Sequence, residues 1–186
     1  MKYTIKRSSR KTIGLQMTSE GLLVRAPYRA GKKDIERVIR ENKAWIARAE
    51  KKMNRSAEAV RRQGVLTADD IAMLAAEARK VIPRRVEYYA KLIGVVPGRI
   101  SIRSQKTKWG SCSAKGNLNF NCLLMLAPPE VLDCIVVHEL CHLKEMNHSK
   151  RFYDEVLRVC PEYRKWHRWL RDNGDILMRR MELGKK

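Results

Sequence analysis

The sequence lacks any apolar run of the roughly 18 residues that a membrane-spanning helix needs, and its N-terminus lacks the apolar stretch of a secretory signal. It also lacks a Cys-x-x-Cys pair, and its 5 cysteines are an odd number, as is typical of reduced thiols. These absences argue against a helical membrane protein and against a small disulfide-stabilised secreted domain. We therefore expect a cytoplasmic protein with no membrane partner.

Acidic residues are scarce relative to basic ones. The 186 residues include 40 Lys and Arg but only 20 Asp and Glu, which gives a net charge of +20. Such a field attracts polyanions, including nucleic acids and nucleotides. The cations are spread along the chain, and basic helix faces are commonly solvated surface, so the charge predicts non-specific nucleic-acid binding at most. A hydrophobic content of 44% is sufficient for a packed core.

The N-terminal third combines short strands with a helix. Alternating apolar residues, with a turn at 19–21, predict a small antiparallel sheet over residues 3–26. Apolar residues at helical spacing predict one helix over 33–53, and residues 54–66 are expected to be a polar connection.

The remaining residues predict helices around two strands. Thr67 and Asp70 resemble a capping box that opens a helix ending near residue 92, and Pro83 is expected to kink or split that helix. A cap is predicted at Asp172-Asn173-Gly174, where the last helix should end. The predicted elements are strands at 99–103 and 117–124 around a polar loop, then helices at 129–144, 149–159 and 161–172.

Three of the four histidines lie close together, and two of them form an H-E-x-x-H motif with Glu139. On a helix, His138 and His142 share one face and can bind a single metal ion, with Glu139 able to reach a metal-activated water as general base. The flanking residues are apolar nearly all round, so the helix should be buried. Metal binding would remove the cost of burying these polar groups. We predict one zinc ion per chain, with another divalent metal as the alternative.

A catalytic zinc site usually has three protein ligands, and the third one has two candidates here. His148 can return to the metal only if the helix ends before it. Asn147 tolerates the left-handed conformation that ends helices, and Ser149 could cap the next helix. This spacing equals the metzincin pattern except that Glu145 replaces its glycine.

The alternative third ligand is Glu162, early in a downstream helix, as in sites with a His-His-Glu set. The fourth histidine, His167, lies on a basic helix that we expect to be exposed.

Several motifs occur together in a fixed order. The run 103–113 contains Trp109-Gly110-Ser111-Cys112, and it is followed by H-E-L-C-H and by Asn147-His148-Ser149. This combination resembles the YgjP-like metallopeptidases, relatives of the WLM and SprT-like zinc peptidases, over nearly the whole chain. The resemblance implies a zincin-like catalytic domain in which Glu139 is the base and zinc is held by His138, His142 and His148.

The Trp109–Cys112 segment has two interpretations. It could place the amides of Ser111 or Cys112 at the cleft, or it could be a structural turn with Trp109 buried and Gly110 at positive φ. In either case we expect the segment to lie near the metal. The candidate substrate-binding residues are Arg103, Lys106, Lys108, Trp109, Ser111 and Cys112.

We therefore predict an α+β fold: an N-terminal β-hairpin and helix region over 1–62, a zincin-like metal-dependent hydrolase domain over 63–178, with its active-site helix beside a small antiparallel sheet, and a basic tail over 179–186. The leading function is a zinc-dependent metallopeptidase acting on peptides or proteins. One alternative is a nucleotide pyrophosphatase that holds a triphosphate with Arg103, Lys106 and Lys108. Another is a nucleic-acid-associated zinc protein or a protease acting on DNA-bound proteins.

Overall fold

A computed structural model describes residues 3–18 and 20–184 of the chain. These residues form six α-helices and two three-stranded sheets, so the predicted α+β class is confirmed. The internal contacts divide the chain into two compact units, Met1–Arg62 and Gln63–Lys186. Within the described residues, no helix has both the length and the apolar character needed to span a membrane.

The first unit begins with a three-stranded sheet in the order β1-β3-β2. Its strands are β1 (Tyr3–Ser8), β2 (Gly14–Thr18) and β3 (Gly21–Pro27). The sheet is mixed, because β1 is parallel to the central β3 while β2 is antiparallel to it. The antiparallel prediction was therefore wrong for β1. Only two residues separate β2 from β3, and Ser19 of that predicted turn lies outside the described residues.

Two helices follow the sheet, where one was predicted over 33–53. They are α1 (Lys32–Glu41) and α2 (Lys43–Gln63). Asn42 ends α1, and its side-chain amide donates a hydrogen bond to the Val38 carbonyl. The polar connection predicted over 54–66 was wrong up to Gln63, because Ser56 and Val60 give this part of α2 a buried side.

Alternation along β3 separates the two faces of the first sheet. Leu22, Val24 and Ala26 point inward and pack with Ile35 of α1 and Ile46 of α2 in one buried cluster. The side chains between them therefore lie on the outer face of the sheet, away from the helices.

The second unit is built around a buried helix and another mixed sheet. The sheet order is β4-β6-β5, with β4 parallel and β5 antiparallel to β6, so the predicted antiparallel sheet was wrong here too. Its elements are α3 (Ala68–Ile93), β4 (Ile100–Arg103), β5 (Gly110–Cys112), β6 (Leu118–Asn121), a 3-10 helix (Cys122–Leu126), α4 (Pro129–Cys141), α5 (Lys150–Val159) and α6 (Tyr163–Leu183).

The start of α3 follows the prediction. The Thr67 hydroxyl accepts a hydrogen bond from the Asp70 amide at 3.1 Å, and the Asp70 carboxylate accepts one from the Thr67 amide at 2.8 Å. Helix α3 is not split, however, because Pro83 lies inside one helix of 26 residues.

Helix α6 is longer than predicted. It continues through Asn173 and Gly174 to Leu183, so the predicted cap at 172–174 was wrong. Gly174 packs directly against the Trp109 ring, which explains a glycine there without a helix end. The tail predicted from residue 179 is helical as far as Leu183, and Met181 is fully buried. Residues 185 and 186 of that predicted tail lie outside the described part of the chain.

Candidate metal centre

Helix α4 is buried around most of its circumference. Val136, Val137 and Leu140 are each 0% exposed, and Glu139 is 6% exposed. The polar groups near the end of α4 therefore have little access to solvent and need partners within the protein.

The three clustered histidines converge on one point. One ring nitrogen from each of His138, His142 and His148 lies within 4.8 Å of the other two. The Nε2 atoms of His138 and His148 are 3.2 Å apart. The structure thus brings together the three residues that the sequence predicted as ligands.

His148 reaches this point because α4 ends at Cys141 and the chain turns. The Cys141 carbonyl accepts hydrogen bonds from the amides of Lys144 and Glu145, both at 3.0 Å. An end before His148 was predicted, but the helix was expected to run to 144 and ends at Cys141. The predicted mechanism was also wrong, because no described residue other than glycine, Asn147 included, has a positive φ. The predicted cap by Ser149 is confirmed, since its hydroxyl accepts from the Phe152 amide at 3.3 Å.

Two of the rings are oriented through their second nitrogen. The Nδ1 atom of His142 lies 3.1 Å from the Glu145 carbonyl oxygen. A carbonyl can only accept, so this Nδ1 carries the proton and Nε2 keeps its lone pair for a metal. The Nδ1 atom of His138 lies 2.9 Å from the hydroxyl of Tyr163, whose side chain is almost fully buried.

The aromatic ring of Phe152 packs against all three imidazole rings. The centroid of the Phe152 ring is 5.0, 4.6 and 4.9 Å from those of His138, His142 and His148. Burial, followed by the neighbouring histidines, lowers the pKa of His138 to about 3, and burial also lowers the pKa of His142. These two rings are therefore neutral near pH 7, as metal ligands must be. A set of three imidazole nitrogen donors fits a catalytic zinc ion.

The competing ligand candidate lies elsewhere. Glu162 is exposed at the start of α6, and its carboxylate accepts a hydrogen bond from Lys165 at 2.8 Å. It is not part of the histidine group in the described structure. His167 is exposed, as expected, and its ring stacks on Tyr163 at a centroid distance of 5.3 Å.

A cleft of about 380 Å³ opens beside the histidines. Burial raises the pKa of Glu139 in its wall to about 7, although the positive charge of Lys108 acts in the opposite direction. A carboxyl group with a pKa near the working pH is suited to general acid–base chemistry. The cleft is lined by Lys108, Gly110, Ser111, Cys112, His138, Glu139, His142, Met146 and His148.

The predicted substrate-binding residues divide into three groups. Lys108, Ser111 and Cys112 line the cleft, whereas Arg103 and Lys106 are exposed and are not among its lining residues. Arg103 ends β4, which is separated from β5 by β6. Trp109 is not among the lining residues, and its ring packs against Gly174 of α6. A substrate-binding role stays a prediction for all of these residues.

Gly110 provides space for the carboxylate of Glu139. It is not among the glycines with positive φ, so the predicted positive-φ turn was wrong. A Cβ atom at Gly110 would lie 2.5 Å from Oε1 and 2.7 Å from Cγ of Glu139. Trp109 occupies the corresponding space at Gly174, where a Cβ atom would lie 2.8 Å from its Cζ2 atom. Trp109 therefore packs against α6, and the adjacent Gly110 of β5 packs against Glu139 of α4.

Sequence reasoning missed three residues that shape the site. Tyr163 and Phe152 contact the histidines, and the buried Asn121 holds the loop that precedes β5. The Asn121 side-chain amide donates to the carbonyls of Gln105 and Lys108 at 2.8 and 2.9 Å. Local patterns gave no signal for Asn121 either, because it alternates with Leu118 and Phe120 as a residue on a solvated strand face would.

Replacing Gly110 by Ala is expected to lower kcat/KM by about 100-fold, the scale of a misplaced catalytic group. The new methyl group must displace Glu139, because the contact is with its Cγ as well as its carboxylate. The measurement is kcat/KM at matched metal occupancy, with circular dichroism to verify the fold.

Ser101→Ala on β4 is the control, because this residue belongs to the same sheet but does not line the cleft in the described structure. Glu139→Asp should also lower kcat/KM by a smaller factor in the Gly110→Ala variant than in the native protein, because the shorter side chain leaves room for the new methyl group. Full activity in Gly110→Ala would show that the close contact does not position the carboxylate that we predict to be the base.

The sequence of this chain matches the profile of one known protein family. The profile of the YgjP-like metallopeptidase domain matches residues 68–173. The chain is 31% identical over 87 residues to the UTP pyrophosphatase of Escherichia coli, and the match covers 46% of this chain and 52% of that protein. The chain therefore spans about half the length of this curated relative.

Two solved structures also resemble the chain. The zymogen of the metallopeptidase abylysin from Pyrococcus abyssi has 26% identity and a TM-score of 0.45, over 48% of this chain and 92% of that one. The zymogen of jannalysin from Methanocaldococcus jannaschii has 27% identity and a TM-score of 0.41, over 48% and 96%. Because the profile covers more than half of the sequence, the chain belongs to the YgjP-like metallopeptidase family.

Proposed function

We propose that this chain is a zinc-dependent hydrolase of the metallopeptidase type. His138, His142 and His148 would hold the ion, and Glu139 would be the general base. The observation that supports this most is the convergence of three ring nitrogens within 4.8 Å beside a buried carboxyl group. Family membership and this cluster indicate a divalent metal, and nitrogen donors favour zinc among such ions.

The chain's own residues provide the proton chemistry. When bound, a zinc ion supplies a Lewis acid that lowers the pKa of a water molecule toward about 7. Glu139 accepts the proton of the attacking water and delivers it to the leaving group. The Tyr163 hydroxyl and the Glu145 carbonyl hold the His138 and His142 rings in place during this transfer.

The free edge of β5 suits an extended peptide. Backbone hydrogen bonds join Trp109 to Asn121 and Ser113 to Asn117, so alternate residues of β5 direct their peptide groups toward β6. Gly110 and Cys112 are out of phase with these bonds, and their amides and carbonyls point to the other side. Both residues line the cleft. A substrate added as another strand would pair with them, which supports a peptide substrate.

A second candidate is hydrolysis of a nucleoside triphosphate. Two observations favour it: the similarity to a protein named UTP pyrophosphatase, and the presence of Lys108 in the cleft lining. A lysine can bind a phosphate group as a point charge. Arg103 and Lys106, which were predicted to share this task, do not line the cleft in the described structure. One cation holds a triphosphate less firmly than three, so we favour the peptide.

The deciding experiment incubates zinc-loaded protein with unfolded peptides and, separately, with nucleoside triphosphates. We expect new peptide fragments with the native protein and none with Glu139→Gln. Release of nucleoside monophosphate and pyrophosphate, again absent in Glu139→Gln, would establish the second candidate instead. If neither product forms while zinc is bound stoichiometrically, the hydrolase proposal is wrong.

A further inference from the structure

The excess positive charge is concentrated in the first unit. Residues 1–62 contain 18 Lys and Arg and 6 Asp and Glu, whereas residues 63–186 contain 22 and 14. One third of the chain therefore holds more than half of the net charge. The metal centre lies in the second unit, so its chemistry does not account for this concentration.

Two cations lie side by side on the outer face of the N-terminal sheet. Lys6 of β1 is in register with Arg25 of β3, and both are exposed. Arg25 alternates with the buried Val24 and Ala26, so its side chain points away from the core. Residues in register point to the same side of a sheet, and therefore Lys6 points outward too.

A third cation completes the row on the other side of Arg25. Gly14 of β2 is in register with Arg25, and a Cβ atom at Gly14 would lie 2.8 Å from the Nη2 atom of Arg10. The Arg10 guanidinium thus lies over Gly14 on the outer face. Its Nε atom is buried and has no hydrogen-bond partner. With about 4.8 Å between strands, the three positive groups extend across the sheet.

The protein does not neutralise this row itself. Strands β1, β2 and β3 contain no Asp or Glu, and among the described residues no acidic side chain forms an ion pair with Lys6, Arg10 or Arg25. Like charges directly opposite each other destabilise a sheet. The arrangement therefore favours an external anion with several charges at short spacing.

We propose that this row, formed by Lys6, Arg10 and Arg25, binds the phosphodiester backbone of a nucleic acid. A nucleic-acid strand presents a regular line of negative charges, and contacts to phosphates do not depend on sequence. An anionic membrane fits less well, because surface binding to lipid also buries apolar side chains. At the next register position of the outer face, the exposed polar residues Thr4 and Gln16 lie on either side of the half-buried Leu23.

The test measures binding of the full chain to short labelled oligonucleotides by fluorescence anisotropy over a series of salt concentrations. Single-stranded RNA, single-stranded DNA and duplex DNA are compared, to identify the source of the phosphates. In the triple variant Lys6→Gln/Arg10→Gln/Arg25→Gln, the slope of log K against log salt should fall by about 2, since each phosphate contact contributes roughly 0.7–0.9.

The matched control removes the same charge elsewhere in the first unit. Arg48, Lys51 and Arg62 are exposed on α2, on the side of the helix away from the buried Ile46 and Val60. The triple variant Arg48→Gln/Lys51→Gln/Arg62→Gln should keep the native salt slope. If both triple variants lose the same affinity, total charge governs binding and the proposal is wrong.

A charge-preserving variant tests the position of Arg10 directly. Gly14→Ala places a methyl group where the guanidinium lies, and a flexible side chain can move away without unfolding the strand. We expect a loss of about one phosphate contact, a slope change of roughly 0.7–0.9.

Native affinity in the sheet triple variant would overturn the proposal. Binding to phosphatidylserine vesicles without binding to any oligonucleotide would overturn it as well. Thermal melting of each variant verifies the fold.

Discussion

Glu139→Gln is expected to reduce kcat/KM by about 10²–10⁴-fold, the usual contribution of a general acid–base group. The amide has nearly the same shape as the carboxylate but cannot accept the proton of the attacking water. Glu139 is not part of the histidine group, so zinc should remain bound at one ion per chain. The measurements are kcat/KM and the zinc content of the same samples.

The pH dependence should identify the same group. Burial raises the pKa of Glu139 to about 7, and a nearby cation such as Lys108 lowers it. The base must be ionised, so kcat/KM should fall tenfold per unit as the pH drops below this pKa. A bound metal ion adds positive charge and moves this acidic limb below pH 7. The residual kcat/KM of Glu139→Gln should not show this fall at acidic pH.

Glu145→Gln is the matched control for both measurements. It makes the same chemical change six residues along the chain, and the Glu145 side chain does not line the cleft in the described structure. Its backbone carbonyl still orients His142. Equal losses in the two variants would mean that Glu139 is not the base.

Local sequence signals identified the starts of two helices and the spacing of two of the clustered histidines. In the Thr67–Asp70 capping box and in the Ser149 cap, the two hydrogen-bonded residues are only three positions apart in the sequence. The spacing of His138 and His142 is equally local. These features were predictable because one helical turn contains all of the geometry that they require.

The strand arrangement was not predictable in the same way. Alternation of apolar residues is the same in parallel and antiparallel strands, so nothing in 3–8 indicated that β1 runs parallel to β3. Strand β5 is Gly110-Ser111-Cys112, which has low strand propensity and looked like part of a loop. Pairing with β6 makes it a strand, and this contact exists only in the folded protein.

The environment of the candidate metal centre also depends on tertiary contacts. Tyr163 lies 25 residues after His138, whose ring it orients, and Gly110 lies on a different element from Glu139. No periodicity links such pairs. Gly174 led to a different error. Local rules predict that a glycine ends a helix, but this glycine lies inside α6 and packs against Trp109. The resemblance to a family included Trp109-Gly110 but did not explain why these two residues occur together.

His148→Ala is expected to remove the metal, while Glu162→Ala is expected to leave it bound. The ring of His148 is one of three that converge, with its Nε2 atom 3.2 Å from that of His138. Glu162 is exposed and hydrogen-bonded to Lys165. The measurement is the zinc affinity of each variant by competition with a chromophoric chelator, followed by activity at saturating zinc.

A third variant sets the scale for these effects. Tyr163→Phe removes only the hydroxyl that contacts Nδ1 of His138, and the loss of such a supporting contact costs about 10–100-fold in metal affinity. His148→Ala should exceed this loss, because it removes a ligand. The order Glu162→Ala, Tyr163→Phe, His148→Ala from weakest to strongest effect would establish three imidazoles as the ligand set. Zinc retained in His148→Ala and lost in Glu162→Ala would instead require α6 to supply the third ligand, with a rearrangement of its first turn.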